Sequence, residues 1–398
     1  MKRENKQVLI TLNTKEMKTK FLTYSLFALL LVGTTGLTSC SKDDAPIAEE
    51  PGESTLSASA VQLMNNLNSN SGKGNILIGH QATTIAGVGW RLWQMPNHSD
   101  FKEITGKFPA VYGWEISPRP DNQNETYDYV SFAVTLDEAK KAYNRGGVNT
   151  FSMHPYRLDN NGTSWDNTPG LVAKLLRQGE LHNQYKQFLN KLIAEFTKLK
   201  DAGGNPIPFI FRPFHEANHN WFWWGSAACT DEEYKALFRF TVEYMRGQGL
   251  NNMLICYAPG YFENVATYNA RYPGDDIVDI LGFDGYYGNN DGHGTDWSTL
   301  KNHLTSLRNI AVAKNKPYCW AETGELNLAT NSYFFQLGNA LTMLVPKPAY
   351  LMFWANYEAN QYYIPYNELN NNAIKNDFLN FTQMDHYQIE GETRNMYQ

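Results

Sequence analysis

Cysteine is scarce in this 398-residue chain, which contains four in all. Cys40 stands near the N terminus, and the other three, Cys229, Cys256 and Cys319, are odd in number and lack the spacing of metal-binding cysteines. Cys256 and Cys319 lie in apolar, strand-like runs, where a thiol behaves as a small buried hydrophobe. We therefore expect neither a disulfide framework nor a metal site built from these residues.

An excess of positive charge is also missing. The chain has 34 Lys and Arg against 40 Asp and Glu, a net charge of −6. Without residues 1–39 it would have 28 basic and 38 acidic groups, a net charge of −10. Proteins that bind nucleic acid neutralise its phosphates with a basic surface. We therefore expect no nucleic-acid partner.

The apolar run near the N terminus, residues 21–32, is too short to span a bilayer comfortably. Lys18 and Lys20 precede it, and small residues follow it up to Cys40, which is the order of a signal peptide. A small residue directly before a cysteine resembles the lipobox of bacterial lipoproteins. We predict a lipoprotein signal peptide over residues 1–39 and lipidation of Cys40; a plain secretory signal is the alternative.

The segment after this cysteine is rich in Ser, Pro, Asp and Glu and has no apolar periodicity. We interpret residues 40–59 as a flexible tether. No low-complexity linker interrupts the rest of the chain, so residues 60–398 are predicted to form one domain. The anchor would hold a monomer on a membrane, facing the periplasm or the cell surface.

Short apolar runs alternate with longer amphipathic stretches along this domain, a rhythm typical of strand–helix units around a parallel sheet. Eight such units in one domain favour a single (β/α)8 TIM barrel, whose chemistry lies at the C-terminal ends of the strands. The predicted strands are residues 76–80, 110–115, 149–154, 208–212, 253–258, 280–284, 317–322 and 350–354.

Polar and aromatic residues collect at seven of these eight predicted strand ends. A few of them could be core or capping groups, but that does not explain seven ends. Aromatic residues make up 14% of the chain, which suits a carbohydrate site because sugar C–H faces stack on aromatic rings. The candidates for contact with substrate are His80, His154, Trp165, Arg212, His215, Trp221, Asp284, Tyr286 and Trp354.

Glu216 and Glu322 end the fourth and seventh predicted strands, which face each other across a barrel mouth. Hydrolysis of a glycoside with retention needs two carboxyl groups roughly 5–5.5 Å apart, one protonated and one ionised. We predict that aromatic neighbours and the negative partner raise the pKa of Glu216, the general acid/base. Glu322, the nucleophile, should stay ionised with hydrogen bonds from donors such as Tyr286 and Arg212.

The sequence around Glu216 resembles family 26 of the glycoside hydrolases, which are mostly β-mannanases. The matching residues are Arg212, His215, Glu216 and Trp221, together with Glu322, the Asp284 and Tyr286 pair, and Trp354. The resemblance covers residues 70–385. It implies a retaining endo-β-1,4-mannanase that hydrolyses β-mannan or galactomannan by double displacement and needs no cofactor. The resemblance also implies that Tyr286 contacts the nucleophile and that Trp354 forms the floor of the subsite for the reactive sugar.

Alternatives remain open at this point. Relatives with this architecture also cut β-1,3-xylan and mixed-linkage β-glucan, and attack could release mannobiose from chain ends. A glycan-binding lipoprotein without activity would not need an opposed carboxyl pair. Glu325 could be mistaken for the nucleophile, and residues 215–219 spell the zinc-protease motif H-E-x-x-H, which works only on a helix.

Overall fold

The structure is a computed structural model that describes residues 55–289, 293–392 and 396–398. The predicted signal peptide, Cys40 and residues 41–54 of the predicted tether lie outside the described residues. The first helix begins at Ala58, so it includes the last two residues of that predicted tether. None of the helices in these three ranges combines the length and the apolar character that crossing a membrane requires.

Eight parallel strands dominate the described residues, and each overlaps one of the runs predicted from the sequence. They are β1 (Ile76–Gln81), β2 (Val111–Glu115), β3 (Val148–Ser152), β4 (Phe209–Arg212), β5 (Met253–Tyr257), β6 (Ile280–Leu281), β7 (Trp320–Thr323) and β8 (Tyr350–Phe353). They pair in the order β7-β8-β1-β2-β3-β4-β5-β6.

Hydrogen bonds between β6 and β7 close this sheet into a barrel. The backbone N–H of Cys319 donates to the carbonyl of Leu281 at 2.9 Å, and that of Ala321 donates to Phe283 at 2.8 Å. Parallel bridges at Leu281 and Asp284 continue the same pairing. The predicted (β/α)8 barrel is therefore confirmed.

Helices surround the barrel. In the described part of the chain they are α1 (Ala58–Gly72), α2 (Asp100–Thr105), α3 (Phe132–Asn144), α4 (Leu171–Leu175), α5 (His182–Phe196), α6 (Asp231–Gly247), α7 (Val265–Ala270), α8 (Trp297–Lys314), α9 (Tyr333–Thr342) and α10 (Asn372–Thr382). Helix α6 shows how the sequence sets their starts, because Thr230 and Glu233 form a reciprocal capping box there.

Two hydrophobic layers hold the molecule together. The larger lies between the sheet and the helices and is rich in aromatic rings. The smaller fills the barrel with residues such as Val148, Ile210 and Leu254 and continues onto Leu63 and Leu67 of α1. Because side chains fill the barrel, a ligand can enter only among the loops at an end of the strands.

Candidate active site

Glu216 lies half-buried in the turn after β4. Both Phe214 and Glu216 have left-handed backbone conformations, with φ values of 50° and 53°. Such conformations cost energy for residues with a side chain and persist only where neighbours enforce them. Here the N–H of Glu216 donates to the carbonyl of Ala258 at 2.9 Å, and the hydroxyl of Tyr234 donates to that of Phe214 at 2.9 Å. The strained turn therefore holds the Glu216 carboxyl in a fixed place.

Three carboxyl groups meet at the C-terminal mouth of the barrel. Oxygen atoms of Glu216, Asp284 and Glu322 all lie within 4.8 Å of one another. This separation between Glu216 and Glu322 suits direct attack on a sugar by one carboxylate. An inverting pair stands roughly 6.5–9.5 Å apart to leave room for water.

Buried hydrogen bonds fix the Glu322 carboxylate. Arg212 donates one Nη hydrogen bond to Glu322 Oε1 and another, of 2.8 Å, to Asp284 Oδ2. The hydroxyl of Tyr286 donates to Glu322 Oε2 at 2.7 Å. One guanidinium thus lies against two carboxylates, and charge-assisted bonds of this kind are stronger than neutral ones. Glu322 is held in one orientation, with its charge stabilised.

Glu216 has the opposite electrostatic environment. Burial and the neighbouring charge of Glu322 raise its pKa from 4.5 to about 8, while the Trp221 indole hydrogen bond partly offsets the rise. That bond joins Trp221 Nε1 to Glu216 Oε2 at 2.9 Å, and the indole itself stacks on the His219 ring at 4.1 Å. Glu216 therefore carries a proton at neutral pH, as the acid of a glycosidase pair must.

His154, which follows β3, forms a second buried pair beside these carboxyls. Its Nδ1 lies 2.6 Å from Glu115 Oε2, and its backbone N–H donates to Oε1 of the same residue at 3.2 Å. Burial lowers the pKa of His154, but the charge and hydrogen bond of Glu115 outweigh it and raise the pKa overall. The imidazole also stacks on the Trp165 indole, with ring centroids 5.3 Å apart.

Two adjoining hollows form an open cleft at the barrel mouth. The first, of about 250 Å³, contains Glu216 and Glu322, and we call it the carboxylate hollow. The second, of about 380 Å³, contains Glu115, and we call it the outer hollow. His154, Trp165 and Trp354 line both. One elongated ligand could therefore occupy the two hollows together.

Most of the residues singled out in the sequence meet in this cleft. The carboxylate hollow is lined by Glu216 and Glu322 and by His154, Trp165, His215, Trp221, Tyr286 and Trp354. The local sequence placed these side chains at strand ends or in the loops that follow, and closure of the barrel brings the ends together.

Three predicted substrate contacts need correction, because the side chains lie beneath the cleft and line neither hollow. Arg212 and Asp284 are at most 1% exposed and pair with each other, and Arg212 also donates to Glu322, which was its other predicted role. His80 is fully buried, and burial lowers its pKa to about 3. It is a neutral histidine within the protein, the structural role that sequence reasoning had left as its alternative.

Other residues line the cleft that the sequence did not reveal. In the carboxylate hollow they are His219, Phe222, Tyr261, His293 and Tyr363; in the outer hollow they include Gln81, Asp128, Tyr129 and Tyr357. Gln81 follows His80 at the end of β1, so its position could have flagged it. The rest come from loops, and no local pattern shows where a loop residue lies in space.

The two rival interpretations of nearby residues are wrong. Residues 214–220 form turns and bends, not a helix, so His215 and His219 do not share a helix face as H-E-x-x-H requires. Glu325 accepts hydrogen bonds from the hydroxyl and the N–H of Thr330, at 2.7 and 2.9 Å. It caps its own loop and lines neither hollow.

Comparison with known proteins gives a consistent result. The family described as glycosyl hydrolase family 26 matches residues 53–379. A mannan endo-1,4-β-mannosidase from Bifidobacterium adolescentis is 29% identical over 313 residues, which cover 72% of this chain but 30% of that protein. One from Bacillus subtilis is 26% identical, with 66% of this chain and 71% of that protein covered.

Solved structures resemble the whole barrel. A family 26 β-mannanase from Bacteroides ovatus superimposes with a TM-score of 0.77 and 30% identity, covering 86% of this chain and 98% of that one. A modular endo-β-1,4-mannanase from Cellulomonas fimi gives the same TM-score and identity, with 87% and 78% covered.

Proposed function

The chain belongs to glycosyl hydrolase family 26, and from this premise we propose that it is a retaining endo-β-1,4-mannanase. The observation that carries the proposal is the pair formed by Glu216 and Glu322, whose oxygen atoms lie within 4.8 Å of each other. One carboxyl is protonated and the other is held by donors, which is the asymmetry that double displacement needs. The names of the relatives support β-mannan as substrate.

In the first step, a Glu322 oxygen attacks the anomeric carbon of the sugar in the carboxylate hollow. The bond from that carbon to the bridging oxygen breaks, and Glu216 gives its proton to the departing oxygen. The result is a glycosyl ester on Glu322. Arg212 and Tyr286 keep the attacking carboxylate in line throughout.

In the second step, water attacks the same carbon and the ester bond to Glu322 breaks. Glu216 takes the proton from water, which restores both groups. While Glu322 is esterified, its charge no longer raises the pKa of Glu216. The ionised form of Glu216 is therefore favoured, and this form can accept the proton from water. Two inversions at one carbon leave the product with its original configuration.

Product configuration tests this mechanism. We expect NMR spectra at early times to show the β-anomer released from mannan, and release of the α-anomer would refute double displacement. Glu322→Ala should lower turnover by several orders of magnitude, whereas the matched Glu325→Ala variant, altered three residues away, should remain active. If the purified protein binds mannan but releases no reducing ends, it is a glycan-binding protein and not an enzyme.

A product profile tests the substrate. We expect a ladder of manno-oligosaccharides from linear mannan; mannobiose as the sole early product would indicate attack at chain ends. Faster hydrolysis of β-1,3-xylan or mixed-linkage β-glucan than of mannan would contradict the substrate assignment.

The N-terminal pattern supports a membrane anchor as part of the same proposal. Basic residues, an apolar run and small residues precede Cys40, and a lipidated cysteine would hold the enzyme at a membrane, on its periplasmic or outer surface. Labelling with palmitate should disappear in Cys40→Ala. We also propose that the enzyme acts as a monomer, which light scattering can measure.

A further inference from the structure

The outer hollow is built by the loops that follow β1, β2 and β8. Arg91 comes from the first loop, Asp128 and Tyr129 from the second, and Tyr357 from the third. The Arg91 guanidinium donates to the backbone carbonyl of Tyr357 at 3.2 Å, and the Tyr357 hydroxyl donates to Asp128 at 3.0 Å. These bonds join the three loops to one another, so the outer hollow has a defined shape next to the carboxylate hollow.

Tyr129 is unusual among the residues of this hollow. It has a φ of 60°, although it is neither glycine nor asparagine, and its side chain is 62% exposed. Its N–H donates to the carbonyl of Thr126 at 2.9 Å, and the N–H of Thr126 donates to Val130 at 2.8 Å. A tight turn therefore holds an aromatic side chain in a strained and solvated position. Core packing gives no reason for an aromatic residue there.

One face of the Tyr129 ring is already covered. The Arg119 guanidinium lies 3.9 Å from the ring centroid, and hydrogen bonds to Asp121 at 3.0 Å and Glu125 at 3.1 Å hold the guanidinium in place. The ring is thus oriented before any ligand arrives, which reduces the entropy cost of binding. Because the ring lines the hollow and stays largely exposed, a ligand can reach its uncovered side.

A polar group lines the same hollow as this ring. Asp128 is buried in the wall of the outer hollow and accepts the hydroxyl hydrogen bond of Tyr357. Burial and the nearby Glu115 raise the pKa of Asp128 to about 6. An aromatic ring beside a carboxyl group offers a surface for sugar C–H groups and an acceptor for sugar hydroxyls, the combination that binds a pyranose.

We infer that Tyr129, backed by Arg119, is a stacking platform for a sugar unit of β-mannan bound beyond the unit in the carboxylate hollow. The inference rests on the proposed function. The sugar chain would pass His154, Trp165 and Trp354, which line both hollows, and reach Tyr129 in the outer one. Only substrates long enough to reach the ring benefit from it.

Substrate length provides the test. Tyr129→Asn removes the ring without adding strain, because asparagine tolerates the left-handed conformation. We expect its kcat/KM to fall roughly 5- to 10-fold on mannohexaose and polymeric mannan, as for the loss of one aromatic contact. On the shortest oligosaccharide that the enzyme cleaves, kcat/KM should match the wild type. Tyr129→Phe should behave as wild type on every length.

A control variant separates the possible results. Phe335→Asn alters a side chain that is also exposed, at 55%, but lines neither hollow, and it should leave every rate unchanged. Equal rates for Tyr129→Asn and wild type at all lengths, or one uniform loss accompanied by a lower melting temperature, would overturn the platform and give the ring a structural role. If the wild type itself releases no sugar from any mannan substrate, the proposed function fails.

Discussion

Neutralising Glu322 should lower the pKa of Glu216, although Glu322 lies in β7 and Glu216 in the turn after β4, on opposite sides of the barrel mouth. The pKa of Glu216 is about 8, with burial as the first cause and the charge of Glu322 as the second. Glu322→Gln removes the second cause and leaves the first in place. This change imitates the esterified intermediate, in which Glu322 is also uncharged.

The size of the effect follows from the distance. Two unit charges 4.8 Å apart repel each other by about 3.5 kcal/mol at an effective dielectric constant of about 20. That energy corresponds to a fall of about 2.5 in the pKa of Glu216. Because burial remains, the pKa should settle between the ordinary 4.5 and the wild-type value of about 8.

NMR of protein labelled with ¹³C at the glutamate carboxyl carbons can follow this titration directly. Glu216→Gln identifies the resonance, since its signal disappears. Glu325→Gln is the matched control, because Glu325 is bonded to Thr330 outside the cleft and should leave the titration of Glu216 unchanged. A pKa of Glu216 that stays near 8 in Glu322→Gln would show that the two carboxyl groups do not share a charge interaction, and the mechanism would lose its basis.

Three further predictions concern the same pair. Trp221→Phe removes a hydrogen bond that favours the charged form of Glu216. The alkaline limb of the kcat/KM profile should therefore move to higher pH, and kcat should fall about tenfold. A pH profile identical to that of the wild type would contradict this role. Tyr286→Phe removes the 2.7 Å bond to Glu322 and should lower kcat roughly 10- to 100-fold while the melting temperature changes little; unchanged turnover would count against it. Relative to the wild type, Glu216→Gln should become more stable as pH rises. Between pH 4.5 and about 8 the unfolded wild type has lost a proton that the folded protein keeps. The free energy of unfolding of the wild type therefore falls across this window, by at most about 5 kcal/mol. Water from the open cleft reaches the Glu216 side chain and should reduce the difference to about 2 kcal/mol, measured by urea unfolding at pH 5 and pH 8.5; a constant difference would refute the raised pKa.

The eight strands were predictable because each one is a short apolar run bounded by turn residues. Burial on both sides of a parallel barrel strand makes the run continuous, and this leaves a local signal. β6 shows where the signal weakens: residues 280–284 were predicted, but the regular strand covers Ile280–Leu281. Phe283 and Asp284 still pair with β7, through the bond from Ala321 to Phe283 and the bridge between Asp284 and Glu322.

The positions of Glu216 and Glu322 were also predictable, because polar residues that end parallel strands share one rim of the sheet. Which neighbours touch a substrate was not. Arg212 and His80 stand at strand ends like the cleft residues, yet their side chains are fully buried. A strand end points a side chain inward or outward according to register, and a single residue of difference changes the outcome.

The sequence by itself determined the number and order of the strands, the two carboxyl groups and their aromatic surroundings, since each depends on residues close together in the chain. The tertiary structure alone decided that Arg212 binds two carboxylates at once and that Glu216 holds its proton near neutral pH. It also decided that Tyr129 lines the outer hollow. These properties depend on the distances between residues that are tens of positions or more apart in the chain, and on how far each residue is exposed to solvent. Both are set only when the barrel closes.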